Sequence, residues 1–240
     1  MVQHLFCRCS GLICRRKDMH TKEGFIPYNA PSYSEEEMIE RSKLFYDEMN
    51  QRRSVRFFSK KKVPKEVIEN IIKTAGTAPS GAHKEPWTFC VVENAEIRKE
   101  IRRLAEEEEY TNYNGRMSDS WLKDLEIFET DHVKPFIEEA SCLIIVFKQV
   151  YGFDEKGEKN THYYVNESVG IATGMLISAI HNAGLVALTH TPSPMNFLEK
   201  ALNRPPNERA YLNIPVGYPA ENAEVPVLER KSTKDLIVYY

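Results

Sequence analysis

The segment Arg52-Arg53-Ser54-Val55-Arg56 places three guanidinium groups and a hydroxyl within five residues, directly after a helical pattern. In an extended segment, Arg52, Ser54 and Arg56 would share one side. Arginine suits a phosphate because its planar fork can donate two hydrogen bonds to one anion. Taken alone, the segment is more typical of a solvated basic patch.

A second segment, Thr77-Ala78-Pro79-Ser80-Gly81-Ala82, follows the next helical pattern and precedes Pro86-Trp87. Small residues let a backbone approach a flat ligand closely. A plain turn is the better local interpretation, so neither segment decides the function by itself.

Periodicity predicts helices and strands in irregular alternation around these segments, which favours one α/β or α+β domain. Ser34 precedes three glutamates, a pattern typical of a helix start. Further helices are predicted over 67–75 and 97–109, and from Trp121 until about Pro135. Strands are predicted at 87–92, 142–147, 185–188 and 211–216, the second of them buried. Pro215 weakens the last strand or places it at a sheet edge.

The segment 163–183 is apolar nearly all round and carries Gly170 and Gly174 four apart. A helix of this kind must be buried on every side, so it is predicted to be the central helix of the core or to lie at a subunit interface. It is too short and too interrupted for a convincing membrane span. The domain is predicted to cover residues 34–240, after a flexible leader over 1–33.

Composition describes an ordinary globular protein, with 42% apolar residues and a net charge of −3. No basic field is available for a nucleic-acid partner. The five cysteines form a poor disulfide framework, so a cytoplasmic location is expected. Cys7, Cys9 and Cys14 lie in the leader, where lipidation and peripheral membrane attachment are the alternative to a plain disordered end.

Several common catalytic signatures are absent. The sequence has no G-x-G-x-x-G, Walker loop, H-E-x-x-H or G-x-S-x-G motif, and its seven histidines do not cluster. The cysteine spacing near the N-terminus matches no common zinc pattern, so no metal site is predicted.

Taken in order, the two segments resemble the opening pattern of the nitroreductase flavoproteins, and further motifs resemble the iodotyrosine deiodinase branch of that family. The resemblance spans about residues 34–232. Its motifs are Thr74-Ala75-Gly76-Thr77-Ala78-Pro79-Ser80-Gly81-Ala82-His83, Glu85-Pro86-Trp87-Thr88-Phe89, Phe147-Lys148-Gln149-Val150, His162-Tyr163-Tyr164, Asn182-Ala183-Gly184-Leu185-Val186 and Pro215-Val216-Gly217-Tyr218-Pro219.

The resemblance implies an α+β fold, in which helices wrap a mixed sheet, and an intertwined homodimer with FMN at the interface. The cofactor-binding residues that it implies are Arg52, Arg53, Ser54, Val55, Arg56, Pro79, Ser80, Gly81, Thr189, His190, Thr191 and Arg230. The arginines and Ser54 would hold the phosphate and ring edge, and residues 79–81 would come from the partner chain. His190 departs from the hydroxyl residue common at that position, so no specific role is predicted for it.

The resemblance also implies a substrate lid made by Glu109, Tyr113 and Lys134. Glu109 and Tyr113 are four apart and would share a helical face, and Lys134 would follow on the next helix. An amino-acid zwitterion needs an anion for its ammonium and donors for its carboxylate, and these residues supply both. The implied catalytic groups are the Thr191 hydroxyl, directed at the flavin, and the Ala82 N–H, directed at a substrate phenolate.

The predicted function is therefore FMN-dependent reductive dehalogenation of halotyrosines, with NADPH as the electron source, delivered directly or through a separate reductase. Two alternatives remain open at the level of sequence. A general nitroreductase or flavin reductase would share the FMN site without needing the lid. A non-catalytic halotyrosine- or flavin-binding protein would keep the lid without turnover.

Overall fold

The structure is a computed structural model that describes residues 23–240. The chain divides into two compact units, Met1–Leu44 and Phe45–Tyr240. The three N-terminal cysteines lie outside the described residues, and so do both interpretations of that segment, the disordered end and the alternative of membrane attachment. No helix in the described range is long and apolar enough to cross a bilayer.

The described residues contain eight helices and six strands, joined by two short irregular turns at Gly81–His83 and Asn112–Arg116. The helices are α1 (Glu35–Gln51), α2 (Lys65–Gly76), α3 (Ala95–Thr111), α4 (Asp119–Glu126), α5 (Phe136–Glu139), α6 (Val165–Asn182), α7 (Asn196–Ala201) and α8 (Thr233–Leu236). The strands are β1 (Trp87–Val92), β2 (Cys142–Gln149), β3 (Tyr151–Phe153), β4 (Lys159–Thr161), β5 (Val186–Ala187) and β6 (Glu208–Gly217).

Helix α1 begins as its sequence predicts. The Ser34 Oγ accepts a hydrogen bond from the Glu37 N–H at 3.2 Å, and the Glu37 carboxylate accepts one from the Ser34 N–H at 2.8 Å. Two backbone donors that helix formation leaves unpaired are satisfied by this reciprocal cap.

The main sheet has the strand order β1-β2-β6-β5 with antiparallel neighbours. Ser54 forms a parallel bridge with Ala187 of β5, which extends the sheet by one contact and makes it mixed. Strands β3 and β4 form a separate hairpin. The arginine-rich segment is thereby fixed against the sheet edge.

Helices cover the sheet on both faces. Along β2, Leu143, Ile145 and Phe147 pack on one face with α3, α5 and α7. Ile144 and Val146 pack on the other face with α2 and α6. All five side chains are fully buried, which confirms the predicted buried strand and gives three layers, as expected of a sheet with both faces covered.

Helix α6 is buried on one side only. Ala172 and Leu176 face the core, but Ile171 is 47% exposed, and Tyr163 and Tyr164 just before the helix are also exposed. The prediction that this segment is buried on every side is wrong for the single chain, because its neighbours there, α2 and the sheet, leave Ile171 and the two tyrosines uncovered.

Pro215 does not lie in an edge strand, so that prediction is wrong too. Strand β6 pairs with both β2 and β5. The Pro215 carbonyl accepts from the Leu188 N–H at 3.3 Å, on the β5 side. In an antiparallel strand the nitrogen and the carbonyl of one residue face the same neighbour, so the missing N–H of Pro215 faces the β5 side. Strand β5 is only two residues long, so a proline is tolerated there inside the sheet.

Lys134 is not helical, in contrast to the prediction. Helix α4 ends at Glu126, and a loop carries Lys134 to α5. The buried Arg98 guanidinium fixes α5 by donating to the carbonyls of Ile137 at 3.0 Å, Ala140 at 2.7 Å and Ser141 at 3.3 Å, and to that of Glu138. This side chain pairs the orphan carbonyls of a very short helix.

Candidate functional site

The segment after α1 is extended and runs along the edge of the sheet. The Val55 N–H donates to the Ala187 carbonyl at 3.1 Å, and the Val55 side chain is buried. Val55 therefore anchors the segment, and its side chain does not line the arginine-rich cavity described next.

A cavity of about 390 Å³ opens beside this segment. We call it the arginine cavity, and its lining residues are Arg52, Arg53, Ser54, Arg56, Phe128, Leu188, Thr189, Pro226, Leu228, Glu229 and Arg230. The structure thus brings together four arginines, one of them about 175 residues from the others in sequence. Their roles in binding stay predictions.

Backbone and amide oxygens hold these arginines in place. The Arg230 guanidinium donates to the Arg52 carbonyl at 2.9 Å and to Asn50 Oδ1 at 3.0 Å. The Arg53 guanidinium donates to the Pro226 carbonyl. The C-terminal segment is therefore tied to the arginine-rich segment by the same cations that line the cavity.

The arginine cavity carries excess positive charge. Burial lowers the pKa of Arg52, and the neighbouring charges of Arg230 and Arg53 lower it further. None of the four arginines forms an ion pair within residues 23–240. An anion with several oxygen acceptors would relieve this repulsion, so the donors fit a phosphate group.

A second cavity of about 170 Å³ lies next to the first. We call it the acid–lysine cavity, and it is lined by Arg56, Glu109, Tyr113, Met117, Trp121, Leu125, Thr130, Lys134, Phe136, Leu188, Thr189, His190 and Thr191. Arg56, Leu188 and Thr189 line both cavities. The two cavities are therefore adjacent halves of one site.

Opposite charges meet inside the acid–lysine cavity. The Lys134 Nζ lies 4.0 Å from Glu109 Oε2, and their side chains are 5% and 9% exposed. The ammonium also donates to the Thr130 hydroxyl at 3.3 Å and to the Asp131 carbonyl. Burial lowers the pKa of Lys134, while the Glu109 carboxylate opposes that shift.

Tyr113 reaches the same cavity from the turn after α3. Its hydroxyl donates to the Thr130 carbonyl at 3.1 Å, and its ring faces Lys134 Nζ at 5.4 Å. Burial raises the pKa of Tyr113, and the Glu109 charge raises it further, so the phenol remains a donor. The predicted trio is thus assembled in one place, although helix α3 ends at Thr111, between its first two members.

The small-residue segment lies elsewhere in the chain. Pro79, Ser80, Gly81 and Ala82 line neither the arginine cavity nor the acid–lysine cavity. Gly81 packs so closely on Tyr163 that an added Cβ would lie 2.6 Å from the Tyr163 carbonyl oxygen. Ala82 adopts a left-handed conformation with φ of 50°. Within one chain, this segment does not join the site.

Sequence reasoning missed the roles of two groups of lining residues. The sequence predicts Trp121 and Leu125 only as parts of a helix, yet both line the acid–lysine cavity. Phe128 lies 5.5 Å from the Arg56 guanidinium, with its ring facing the cation. The four-residue spacing of Trp121 and Leu125 indicated a shared helical face, but such a face also fits core packing. The described residues contain no group that could hold a metal ion.

The chain matches known proteins over most of its length. The nitroreductase family matches residues 49–218. Iodotyrosine deiodinase from Haliscomenobacter hydrossis is 56% identical over 222 residues, 92% of this chain and 100% of that protein. Iodotyrosine deiodinase 1 from Homo sapiens is 48% identical over 214 residues, 89% of this chain and 74% of that protein.

Solved structures show the same architecture. A crystal structure of oxidized iodotyrosine deiodinase bound to FMN and 3-iodo-L-tyrosine aligns with a TM-score of 0.70 and 33% identity, over 82% of this chain and 98% of that one. A nitroreductase with bound FMN from Bacteroides fragilis aligns with a TM-score of 0.60 and 21% identity, over 81% of this chain and 98% of that one. The second match supports the fold alone.

Proposed function

Because this chain belongs to the nitroreductase family, and within it to the iodotyrosine deiodinases, we propose that it removes halide reductively from halotyrosines with FMN as cofactor. The observation that carries the proposal is the adjacency of the two cavities. One offers cations for a phosphate, the other offers both charges for a zwitterion, and Arg56, Leu188 and Thr189 line both.

The arginine cavity is the proposed phosphate end of the cofactor site. Arg52, Arg53 and Arg230 would hold the single terminal phosphate of FMN, and Ser54 would add a hydroxyl. Arg56 and Thr189 would lie along the ring system, since they line the passage to the second cavity. When bound, FMN supplies the electrons for the reaction.

The acid–lysine cavity is the proposed site for the amino-acid group. Glu109 would accept from the substrate ammonium, while Lys134 and Tyr113 would donate to its carboxylate. The 4.0 Å gap between Lys134 and Glu109 is longer than a good hydrogen bond, so both groups retain capacity for new partners. A zwitterion would exchange one incomplete ion pair for two complete ones.

The remaining chemistry requires that hydrogen replace the halogen on the phenol ring and that halide leave, which consumes two electrons and one proton. The chain would exclude water by enclosing the ring under Trp121 and Leu125. The Thr191 hydroxyl would donate toward the flavin, and the Ala82 N–H would stabilise the phenolate oxygen.

Ala82 lies outside both cavities of its own chain, which favours a homodimer. A second copy would bring its residues 79–82 to this site and cover the exposed Ile171, Tyr163 and Tyr164. Exposed apolar side chains around one helix are typical of such an interface. The proposed assembly is therefore an intertwined homodimer with two shared sites.

Two alternatives are less well supported. A general nitroreductase would have no use for a carboxylate and an ammonium buried together at Glu109 and Lys134, since burying charges is costly. A non-catalytic binding protein would not need a hydroxyl at Thr191 in the wall of the acid–lysine cavity, two residues after the shared Thr189. NADPH, directly or through a separate reductase, is the proposed electron source.

The domain limits and the location also stay proposals. Residues 34–240 would form the FMN-binding domain and residues 1–33 a leader. Cys90 and Cys142 are free thiols, which supports a cytoplasmic location.

The decisive experiment mixes the anaerobically reduced protein with 3-iodotyrosine. Flavin reoxidation that matches iodide release mole for mole supports the proposal. Reoxidation by nitroaromatic compounds without any iodide release from iodotyrosine would establish a general reductase instead. Tight iodotyrosine binding without reoxidation would establish a binding protein.

A further inference from the structure

His190 is held by the sheet rather than by the flexible end of a loop. Its backbone N–H donates to the Asn213 carbonyl at 2.9 Å, and the Asn213 N–H donates back to the His190 carbonyl at 3.0 Å. Asn213 belongs to β6 and is fully buried. Phe136 packs against the imidazole edge-on, with ring centroids 5.2 Å apart. The ring position is therefore fixed from two elements.

The two ring nitrogens face different groups. Nδ1 lies 3.4 Å from the Asn213 side-chain nitrogen, and an amide NH₂ can only donate, so Nδ1 accepts. A neutral imidazole with an accepting Nδ1 carries its proton on Nε2. Nε2 is buried without a hydrogen-bond partner, and Glu109 Oε1 lies 3.4 Å from it. The unused donor is therefore directed at the acid.

The other protonation states fit this environment less well. With the Asn213 amide reversed, the proton would move to Nδ1, and the Nε2 lone pair would face a carboxylate oxygen, which is repulsive. A charged ring is opposed by burial, which lowers the pKa of His190 although Glu109 works in the other direction. The neutral form with a proton on Nε2 gives the Glu109 carboxylate a donor and lets Nδ1 accept from the Asn213 amide, but it leaves Asn213 Oδ1 without a partner. An unpaired neutral amide oxygen costs less than a lone pair held against a charged carboxylate.

We propose that His190 is a positioning residue that donates its Nε2–H to the Glu109 carboxylate and holds it ready for the ammonium group of the substrate. The two carboxylate oxygens then have separate partners, His190 on Oε1 and Lys134 on Oε2. The lone pairs not used by these partners serve the substrate. The ammonium part of this inference rests on the proposed function, whereas the histidine–carboxylate contact does not.

The contact also connects the two chemical tasks of the site. Glu109 is on α3, and Thr191 directly follows His190. A substrate bound by Glu109 would thus be held at a fixed position relative to the chain segment that carries the Thr191 hydroxyl. Orientation of this kind contributes to rate because reacting groups must meet in a narrow geometry.

Three substitutions separate hydrogen bonding from packing. In His190→Gln the amide nitrogen reaches the position of Nε2, in His190→Asn it reaches only the position of Nδ1, and His190→Leu keeps bulk without a donor. Iodotyrosine and iodophenol are titrated into each FMN-loaded variant, with flavin absorbance as the signal. We expect roughly tenfold weaker iodotyrosine binding in the Leu and Asn variants, the loss of about one hydrogen bond to a charge. Gln should recover most of it.

Iodophenol lacks the ammonium group, so its binding should change little in any variant. A double-mutant cycle with Glu109→Gln adds a test that a merely structural role would not pass. His190→Leu should weaken iodotyrosine binding little further in that background. Equal losses in both backgrounds, or equal losses for iodophenol, would overturn the proposal.

The tautomer can be measured without any substrate. A ¹⁵N–¹H spectrum tuned to imidazole couplings reports which nitrogen of each of the seven histidines carries the proton. The His190 signals are identified by their absence in His190→Gln. We expect protonated Nε2 and a shift of its signal in Glu109→Gln. A proton on Nδ1 would refute the contact but leave the deiodinase proposal standing. If the expected tautomer were found but no halide were released, the contact would stand and the deiodinase proposal would be refuted.

Discussion

The arginine cavity and the acid–lysine cavity solve opposite electrostatic problems. The first sets four arginines against a single glutamate and holds two of the arginines with uncharged oxygens, so that repulsion among the cations remains until an anion arrives. The second buries an acid that has a lysine and a histidine each within 4.0 Å of its carboxylate, so that the charges of the acid and the lysine offset each other before any ligand binds. The first arrangement suits a retained cofactor, and the second suits a substrate that must enter and leave.

The largest effect should follow from removing charge in the arginine cavity. Arg52→Ala combined with Arg53→Ala deletes two charge-assisted contacts to the phosphate, and FMN should bind at least about a hundredfold more weakly. Fluorescence titration of the apoprotein with FMN measures this. Arg103→Ala is the matched control, because Arg103 is exposed and pairs with Glu100 and Glu107 on α3. Unaltered FMN affinity in the double variant would mean that the phosphate lies elsewhere.

A smaller and more selective effect is expected in the acid–lysine cavity. Glu109→Gln or Lys134→Ala should weaken iodotyrosine binding roughly ten- to a hundredfold through the loss of one charge-assisted contact. FMN affinity and iodophenol binding should hold. Calorimetric titration of the FMN-loaded variants is the measurement, with the exposed Glu107→Gln on the same helix as control. Parallel losses for iodotyrosine and iodophenol would contradict the assignment.

Thr191→Ala tests a hydroxyl that lines the acid–lysine cavity two residues after Thr189, which lines both cavities. Its hydroxyl contacts neither the phosphate nor the zwitterion in the proposal, so both affinities should remain. Dehalogenation should slow by about tenfold, which corresponds to the loss of one ordinary hydrogen bond, whereas reduction of nitro compounds should not slow. Rapid mixing of the reduced protein with each substrate separates the two rates. If both reactions slowed equally, Thr191 would serve the flavin in general.

The balance inside the second cavity should also appear as a pH dependence of stability. Glu109, Lys134 and Arg56 are the charged groups around His190, and burial lowers its pKa in the folded state. In the unfolded chain His190 binds a proton near its ordinary pKa of about 6.5, whereas in the folded chain it stays neutral until a lower pH. Stability should therefore fall as pH drops below that value, by up to about 1.4 kcal/mol per pH unit. Urea unfolding of the parent and of His190→Gln should differ in this slope. Equal slopes would show that His190 protonates alike in both states.

The smallest effect is expected outside both cavities. Deleting residues 1–33 should leave FMN affinity and iodotyrosine turnover unchanged, because the cavity-lining residues all come later in the chain. Loss of FMN binding in the shortened protein would show that the leader belongs to the domain.

Local patterns predicted the elements whose cause is local. The continuous apolar run in β2 and the cap at Ser34 specify their structures within a few residues, and both predictions were confirmed. The exposure of the side of α6 that carries Ile171 could not be predicted, because an apolar side chain can be covered by the same chain or by a second copy. The environment of Pro215 depended on strand order, which is a non-local property.

The site divides in the same way. Arg52, Arg53 and Arg56 lie within five residues and were recognised as a cluster from the sequence. Arg230 was assigned to the site only through the family resemblance. The pairing of His190 with Asn213 depends on register between a loop and β6, so no spacing rule could reveal it. Lys134 lies beside Glu109 as expected, but in a loop rather than on the predicted helix.

The Arg98 anchor has a consequence for the kinetics of ligand exchange. The Arg98 guanidinium of α3 holds α5, and so the floor beside Lys134, by donating to four backbone carbonyls within residues 137–141. Helix α4 forms the opposite wall and has no buried residue, with Trp121 54% exposed. Opening should therefore occur at α4, because fewer buried contacts need to break there. Because a ligand enters and leaves through the same opening, substitutions on α4 should alter both its association rate and its residence time.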